Sequence, residues 1–200
     1  MFHRVVAGAM FLTSILSPQL AQAATPAAIA PPIEQSTADC TSPTYATDRL
    51  VCSNAELSAL DQTLARMLTD LPSRARGIDN PWLEEQQNWF KRRSLCAFEE
   101  SHLECTKRAY QTRVAEMDAL ASYADDGKPL PCPSLPAASR YTISTQGLMI
   151  IRASQGEVLI AAWPKEDKGW RPFVSYRWGR TMGRLTRQGD NAALTCRLLG

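Results

Sequence analysis

Six cysteines constrain the fold of this 200-residue chain more than any other feature. They are Cys40, Cys52, Cys96, Cys105, Cys132 and Cys196. An even number of cysteines in an exported protein indicates disulfide bonds. No pair has the C-x-x-C spacing that is typical of redox sites and zinc ribbons. We therefore expect three structural disulfides, and neither a metal ion nor a cofactor.

The N-terminus predicts that the chain is exported. Arg4 precedes an apolar run over residues 5–16, and Pro18 follows that run. Ala21-Gln22-Ala23 comes next, a pattern typical of signal-peptide cleavage. As a helix, the apolar run would rise only ~18 Å, whereas a bilayer core is ~30 Å thick. We expect a signal peptide over residues 1–23, cleaved near Ala23, and a periplasmic or secreted protein without a transmembrane segment.

The first part of the mature chain has the apolar period of α-helices. Residues 24–39 are rich in alanine and proline and are predicted to be a flexible leader. The region 40–124 contains three apolar stripes at helical spacing. Helices are expected over roughly 54–71, 81–98 and 102–122. Ser53 and Glu56 match a capping box with Ser53 as the N-cap, so the pattern predicts a small three-helix bundle.

The second part of the chain has the period of β-strands. A proline-rich linker over 125–138 precedes the region 139–200, in which glycine-containing turns separate short apolar runs. Strands are expected over roughly 141–145, 148–153, 157–163, 170–178, 184–188 and 192–199. Evenly spaced short strands predict an antiparallel meander, either a barrel or a sandwich. The predicted fold class is α+β in two modules, a disulfide-stapled three-helix bundle followed by a small antiparallel β meander.

The two regions carry opposite net charge. Residues 39–126 have a net charge of −5, and residues 127–200 have a net charge of +7. The acidic pairs are candidate contacts for a cationic protein, although such pairs more often form a solvated helix face. They are Glu84, Glu85, Glu99 and Glu100. In the basic region arginines alternate with aromatic residues, which favours an anionic ligand or arginine–tryptophan stacking on a solvated sheet face. Because an exported protein rarely meets nucleic acid, we expect no nucleic-acid partner.

Catalytic side chains are scarce in the mature chain. Removal of the signal peptide leaves His102 as the only histidine, and its place at a helix start is typical of a solvated side chain. Adjacent glutamates diverge by about 100° on a helix, so they cannot face each other across a substrate as in glycosidases. We therefore predict a protein that is not an enzyme and has no catalytic residue.

Four cysteines and their neighbours form a pattern over about residues 40–120. Cys40 and Cys52 are followed by Leu57, Leu60, Asp61 and Leu64. Two further segments are Gln86-x-x-Trp89-x-x-x-Arg93-x-x-Cys96 and Cys105-x-x-x-x-Tyr110-x-x-Arg113. This pattern resembles the LprI-like lysozyme-inhibitor family. The resemblance implies a disulfide-bonded helical domain and, as its function, inhibition of a lysozyme.

The motif residues also have a structural interpretation. Gln86, Trp89 and Arg93 share one helix face, where Trp89 is expected to fill the helix interface. Tyr110 and Arg113 are likewise expected to stabilise the helical bundle by packing and pairing. Asp61 interrupts a leucine stripe, and a buried carboxylate there needs a cation, for which the candidates are Arg93 and Arg113.

Helix geometry predicts how the cysteines pair. Two helices joined by a short loop are antiparallel, so Cys52, Cys96 and Cys105 are expected at the same end of the bundle. The expected disulfides are Cys52–Cys96, Cys40–Cys105 and Cys132–Cys196. An exchange of partners between the first two disulfides remains open at modest geometric cost.

The sequence predicts an exported binding protein that inhibits a lysozyme stoichiometrically through its acidic helical region. Lysozymes are usually cationic, so charge favours the approach of residues 39–126 and disfavours the approach of residues 127–200. The alternative is an envelope protein whose basic β region binds peptidoglycan, another anionic glycan or anionic lipid.

Overall fold

The computed structural model describes residues 36–70, 80–122 and 127–197, which belong to one compact unit. The helices are α1 (Ala46–Ser53), α2 (Ala55–Asp70), α3 (Gln86–Arg93), the short 3-10 helix η1 (Ser94–Phe98) and α4 (His102–Ala121). The strands are β1 (Lys128–Pro129), β2 (Arg140–Ile143), β3 (Met149–Arg152), β4 (Val158–Pro164), β5 (Val174–Trp178), β6 (Met182–Arg187) and β7 (Ala193–Arg197). The predicted signal peptide, most of the predicted leader and residues 71–79 lie outside the described residues.

The start of the helical region differs from the sequence prediction. Ser53 ends α1 and donates its hydroxyl to the Leu50 carbonyl, so it is not the N-cap of the next helix. Asn54 takes that role, because its side-chain oxygen accepts a hydrogen bond from the Leu57 N–H at 3.1 Å. The helix α1 was not predicted, since its sequence has no long apolar stripe.

The second helix is shorter in the structure than the range 81–98 that its sequence pattern predicts. Asn80 closes a turn by accepting a hydrogen bond from the Trp82 N–H at 2.9 Å, and α3 begins only at Gln86. After Arg93 the chain tightens into η1. The third predicted helix is confirmed, because α4 spans His102–Ala121.

The strands form one curled, seven-stranded sheet in sequence order. All neighbouring pairs are antiparallel except β4 and β5, which pair in parallel where Trp163 lies opposite Ser175. The strand β1 lies in the segment that was predicted to be a linker, and its Lys128 pairs with Tyr141. The α+β class and the six predicted strands are therefore confirmed at the level of element type, whereas a purely antiparallel meander is not.

The sheet is buried on both faces at its centre. One face of β3 and β4 lines the sheet's own core, which includes Met149, Ile151 and Ile160. The opposite face, with Ile150 and Trp163, packs against α4. This explains why all four residues of β3 are buried. The helices and the sheet thus share a core, and a division into two modules is not confirmed.

Two of the three expected disulfides are wrong. The structure joins Cys40 to Cys52 and Cys96 to Cys105, with Cα atoms 5.5 Å apart in each pair. The reason is local, because α1 returns the chain beside Cys40, and η1 leads directly from Cys96 towards α4. The third disulfide joins Cys132 to Cys196 as expected.

Three disulfides fit a protein of an oxidising compartment outside the cytoplasm. Within the ranges that the structure describes, no helix is both long and apolar enough to cross a membrane.

Candidate functional site

The disulfide between Cys96 and Cys105 closes a short loop between η1 and α4, called the disulfide loop below (residues 96–105). Both cysteines are buried and belong to the helical core. The backbone N–H of Glu99 donates to the Cys96 carbonyl at 3.1 Å and tightens the turn. The loop is therefore fixed at its base, while its tip lies at the protein surface.

Large apolar side chains are exposed at this loop. Phe98 is 87% exposed, Leu95 just before the loop is 59% exposed, and Leu103 within it is 39% exposed. Single apolar residues on a surface are ordinary, whereas contiguous exposed apolar patches mark interaction sites. Three exposed apolar residues within nine residues of sequence make this loop the candidate for such a patch. A phenylalanine this exposed contributes little to the core of its own chain.

Carboxylates flank the exposed apolar side chains. Glu100 and Glu104 are exposed, and Glu99 is half-buried. Within the described part of the chain, neither Glu99 nor Glu100 has an ion pair or a side-chain hydrogen bond. The disulfide loop thus presents exposed apolar side chains together with Glu99 and Glu100, whose charges have no ion pair among the described residues.

The other predicted acidic pair lies elsewhere and is only partly available. Glu84 is not solvated, because its side chain is 4% exposed and pairs with Arg92 through two hydrogen bonds. Arg92 also stacks over Trp170, with its guanidinium carbon 3.9 Å from the ring centroid. Glu85 is exposed, but the eight residues of α3, about 12 Å of helix, separate it from the disulfide loop. The structure does not bring the two pairs together.

Asp61 forms no ion pair with Arg93 or Arg113 among the described residues, although the Arg93 charge opposes from a distance the rise that burial causes in the pKa of its carboxyl. Its carboxylate accepts hydrogen bonds from the Tyr110 hydroxyl at 2.7 Å and from the Ala38 N–H at 3.2 Å. Arg93 instead pairs with Asp48 at 2.6 Å, and both side chains are fully buried. Asp48 could not be chosen from the sequence, because the helix that carries it was not predicted.

The remaining motif residues hold the helices together. Trp89 is buried edge-on against Tyr110, with ring centroids 5.3 Å apart, and Leu57 belongs to the same core. Arg113 donates to the Gln86 side-chain oxygen at 2.9 Å and to the Glu84 carbonyl at 2.9 Å. These contacts agree with the structural interpretation of the motif.

A second buried network joins the helices to the sheet. Trp163 of β4 donates its indole N–H to Glu116 of α4 at 2.9 Å, and Glu116 also pairs with Arg113 at 3.2 Å. Burial raises the pKa of the Glu116 carboxyl, while Arg113 opposes that rise and Glu84 adds to it. The side chains of Glu116 and Glu84 therefore form contacts inside the fold and are not available to a partner.

His102 is half-buried at the start of α4, so the expectation of a fully solvated histidine is wrong. Its Nε2 atom lies 3.0 Å from the Thr47 hydroxyl. Burial lowers the pKa of the imidazole, and the nearby Arg93 charge lowers it further. This contact links α1 to the start of α4, within the disulfide loop.

Replacing Asp61 with asparagine should change how stability depends on pH. Burial raises the pKa of Asp61 above its ordinary value of 3.8 in spite of the hydrogen bonds from Tyr110 and Ala38. The folded state therefore binds the proton more tightly than the unfolded state, and this stabilisation is present below about pH 3.8 and is lost as the pH rises through the folded pKa.

Asparagine cannot ionise, and its amide oxygen can still accept both hydrogen bonds. The free energy of unfolding of Asp61→Asn, relative to that of the wild type, should thus increase as the pH rises from about 3.8. Urea unfolding across a pH series measures this difference. A difference that stays constant or decreases would contradict the assigned direction.

Only part of the disulfide loop could be identified from the sequence as a candidate interaction surface. Glu99 and Glu100 were candidates, whereas Phe98 and Leu103 were not, because both lie within helices that the sequence predicted. The position of Phe98 between two closely spaced cysteines is the signal that could have found it.

Comparison with known proteins gives no relative from which a function could be transferred. No protein-family model, no curated protein and no solved structure matches the chain.

Proposed function

We propose that this chain is an exported, non-enzymatic binding protein of the LprI-like type, which inhibits a cationic lysozyme by stoichiometric binding through its disulfide loop. The observation that carries the proposal is the exposure of Phe98, 87% of whose surface is free on a loop closed by a buried disulfide. In this proposal the signal peptide is cleaved near Ala23, and the mature protein acts in the periplasm or outside the cell.

The loop has the properties of an inhibitory anchor. A fixed loop loses little conformational freedom on binding, and this loop is held by the disulfide at its base. Aromatic side chains at the centre of an interface contribute a large share of binding energy when a pocket desolvates them. Phe98 can provide that contact without repacking the core, because it is not part of the core.

Charge favours a cationic partner at this surface. Glu99, Glu100 and Glu104 follow Phe98 within the disulfide loop, and the wider region 39–126 has a net charge of −5. A positively charged protein would therefore be steered towards the loop and away from the basic sheet. Steering between exposed charges is screened over about 10 Å at 0.1 M salt, so the association rate should fall as the salt concentration rises.

Titration of lysozyme activity with the purified full chain tests the proposal. A panel of cationic lysozymes is assayed on a peptidoglycan substrate at increasing ratios of chain to enzyme. For one member of the panel, activity should disappear near an equimolar ratio, since each inhibitor molecule blocks one enzyme. Full activity of every panel member at a large molar excess of the chain would contradict the proposal.

A further inference from the structure

The outer face of the last three strands carries arginines at matched positions. In the sheet register Arg177 of β5 lies opposite Arg184 of β6, which lies opposite Thr195 of β7. Two residues further along β7, on the same face of the sheet, Arg197 lies opposite Met182 of β6. All five side chains are exposed. They define a surface that is called the arginine face below.

The aromatic residues of these strands do not belong to that face. Trp178 packs on the inner side over Gly183, where an added Cβ would lie 1.3 Å from the indole. Trp170, which precedes β5 and belongs to the helical core, is stacked by Arg92. The expected stacking of sheet arginines on sheet tryptophans therefore does not occur among the described residues, and the outer arginines are left without an aromatic partner.

The charges of the arginine face are poorly compensated by the described residues. Like charges directly opposite each other on adjacent strands are destabilising, and Arg177 and Arg184 have this arrangement. Within the described residues, the carboxylate that pairs with the face is Asp167, 3.5 Å from Arg177, with both side chains largely exposed. The side chains of Arg184 and Arg197 have no ion pair or hydrogen bond there.

Several other arginines of the chain have carboxylate partners and are less exposed than those of the arginine face. Arg93 pairs with Asp48, Arg113 pairs with Glu116, and Arg187 on the same strand as Arg184 pairs with Asp190. The contrast separates these arginines from Arg184 and Arg197, which have no carboxylate partner among the described residues, and from Arg177, whose one ion pair is largely exposed to solvent. The guanidinium groups of the arginine face are therefore available to an external anion.

We propose that the arginine face binds a linear anionic polymer through its phosphate groups. The planar guanidinium group donates parallel hydrogen bonds that match the oxygens of a phosphate. The row from Arg177 to Thr195 crosses three strands and spans about 10 Å, so it can contact successive anionic groups of one extended chain. The Thr195 hydroxyl adds a neutral donor at the end of the row.

A hydrated polymer fits this face better than a bilayer surface does. Stable docking on a bilayer combines electrostatic attraction with apolar side chains that insert between the lipids. Met182, 47% exposed, is the large apolar side chain that the face offers among the described residues. This binding site is separate from the disulfide loop and does not depend on lysozyme inhibition.

Binding of the full chain to long-chain polyphosphate tests the proposal. The variant Arg177→Gln/Arg184→Gln/Arg197→Gln removes the charges of the face, and the variant Arg49→Gln/Arg66→Gln/Lys91→Gln removes as many exposed charges from the helical region. The first variant should bind roughly tenfold more weakly or worse, since each lost phosphate contact reduces both the affinity and its salt dependence. The second variant should bind almost as tightly as the wild type.

A lysine variant of the three face arginines provides a second readout. The lysine variant keeps the positive charge but loses the planar guanidinium group and its paired hydrogen-bond donors. Its affinity for polyphosphate should therefore lie between those of the wild type and the glutamine variant. Equal weakening in the face and control variants would overturn the proposal, because binding would then reflect net charge alone. Tight binding to phosphatidylglycerol–phosphatidylcholine vesicles, with no binding to polyphosphate, would overturn it in favour of a membrane.

Discussion

Replacing Asp48 with alanine is expected to lower the free energy of unfolding by about 3–5 kcal/mol, because it leaves a buried cation without its counter-charge. Asp48 accepts a hydrogen bond from Arg93 at 2.6 Å, and it accepts another from the Tyr45 N–H at 3.1 Å. Arg93 is fully buried, and its Nε and Nη1 atoms have no hydrogen-bond partner among the described residues. Its other close neighbours are aromatic faces, with Phe90 at 4.0 Å. Urea unfolding of the variant measures the loss.

A double variant separates the charge from the packing. When Arg93→Met is added to Asp48→Ala, no buried charge remains, and the apolar side chain can still contact Phe90. The double variant should therefore be more stable than Asp48→Ala alone. The exposed Glu100→Ala serves as a control and should unfold like the wild type. A loss in Asp48→Ala no larger than that of the control would contradict the assigned role of the ion pair.

The ion pair also shows why the helical region was only partly predictable from the sequence. The helix α4 and most strands have clear periodic patterns, so these elements could be predicted from the sequence. The helix α1 has eight residues and few apolar ones, and its stability depends on tertiary contacts such as Asp48–Arg93 and on the Cys40–Cys52 disulfide. An element of this kind cannot be found from periodicity alone.

The error in the disulfide pairing follows from the missing helix. With Cys40 on a flexible leader, a long-range bridge to Cys105 was geometrically reasonable. The presence of α1 places Cys40 beside Cys52, and the early end of α3 places Cys96 beside Cys105. By contrast, Cys132–Cys196 could be predicted because it needed only the two ends of the β region to meet.

Replacing Phe98 with alanine should weaken binding to the inhibited lysozyme by about 2 kcal/mol or more, which is roughly a 30-fold rise in Kd. The side chain is 87% exposed in the free protein, so its truncation removes an interface contact and leaves the core intact. The free energy of unfolding should therefore stay close to that of the wild type. Calorimetric titration and urea unfolding measure the two quantities on the same sample.

A matched control is available on the sheet. Ile143 is also a large exposed apolar residue, 43% exposed on β2, and Ile143→Ala should leave the affinity for lysozyme unchanged. If Phe98→Ala and Ile143→Ala weakened binding equally, the contact would be nonspecific. If Phe98→Ala bound like the wild type, Phe98 would not be the anchor.

The candidate site was harder to predict than the fold. Net charge pointed to the acidic half of the chain, and Glu99 and Glu100 are indeed at the surface loop that we consider functional. Charge patterning could not reveal that Glu84 is 4% exposed, because its burial depends on Arg92 and on Trp170, which precedes β5 far along the sequence. Exposure of Phe98 likewise depends on how η1 ends, and its position between two cysteines marks the segment without giving that exposure.

Hydrogen–deuterium exchange of the full chain, alone and saturated with an inhibited lysozyme, tests most directly whether the disulfide loop is the binding surface. Exchange should slow in peptides that cover residues 96–105, because the partner excludes water from that loop. Exchange in peptides that cover residues 174–197 should not change. Slower exchange confined to the arginine face, or inhibition without any protection of residues 96–105, would contradict the proposed role of the loop.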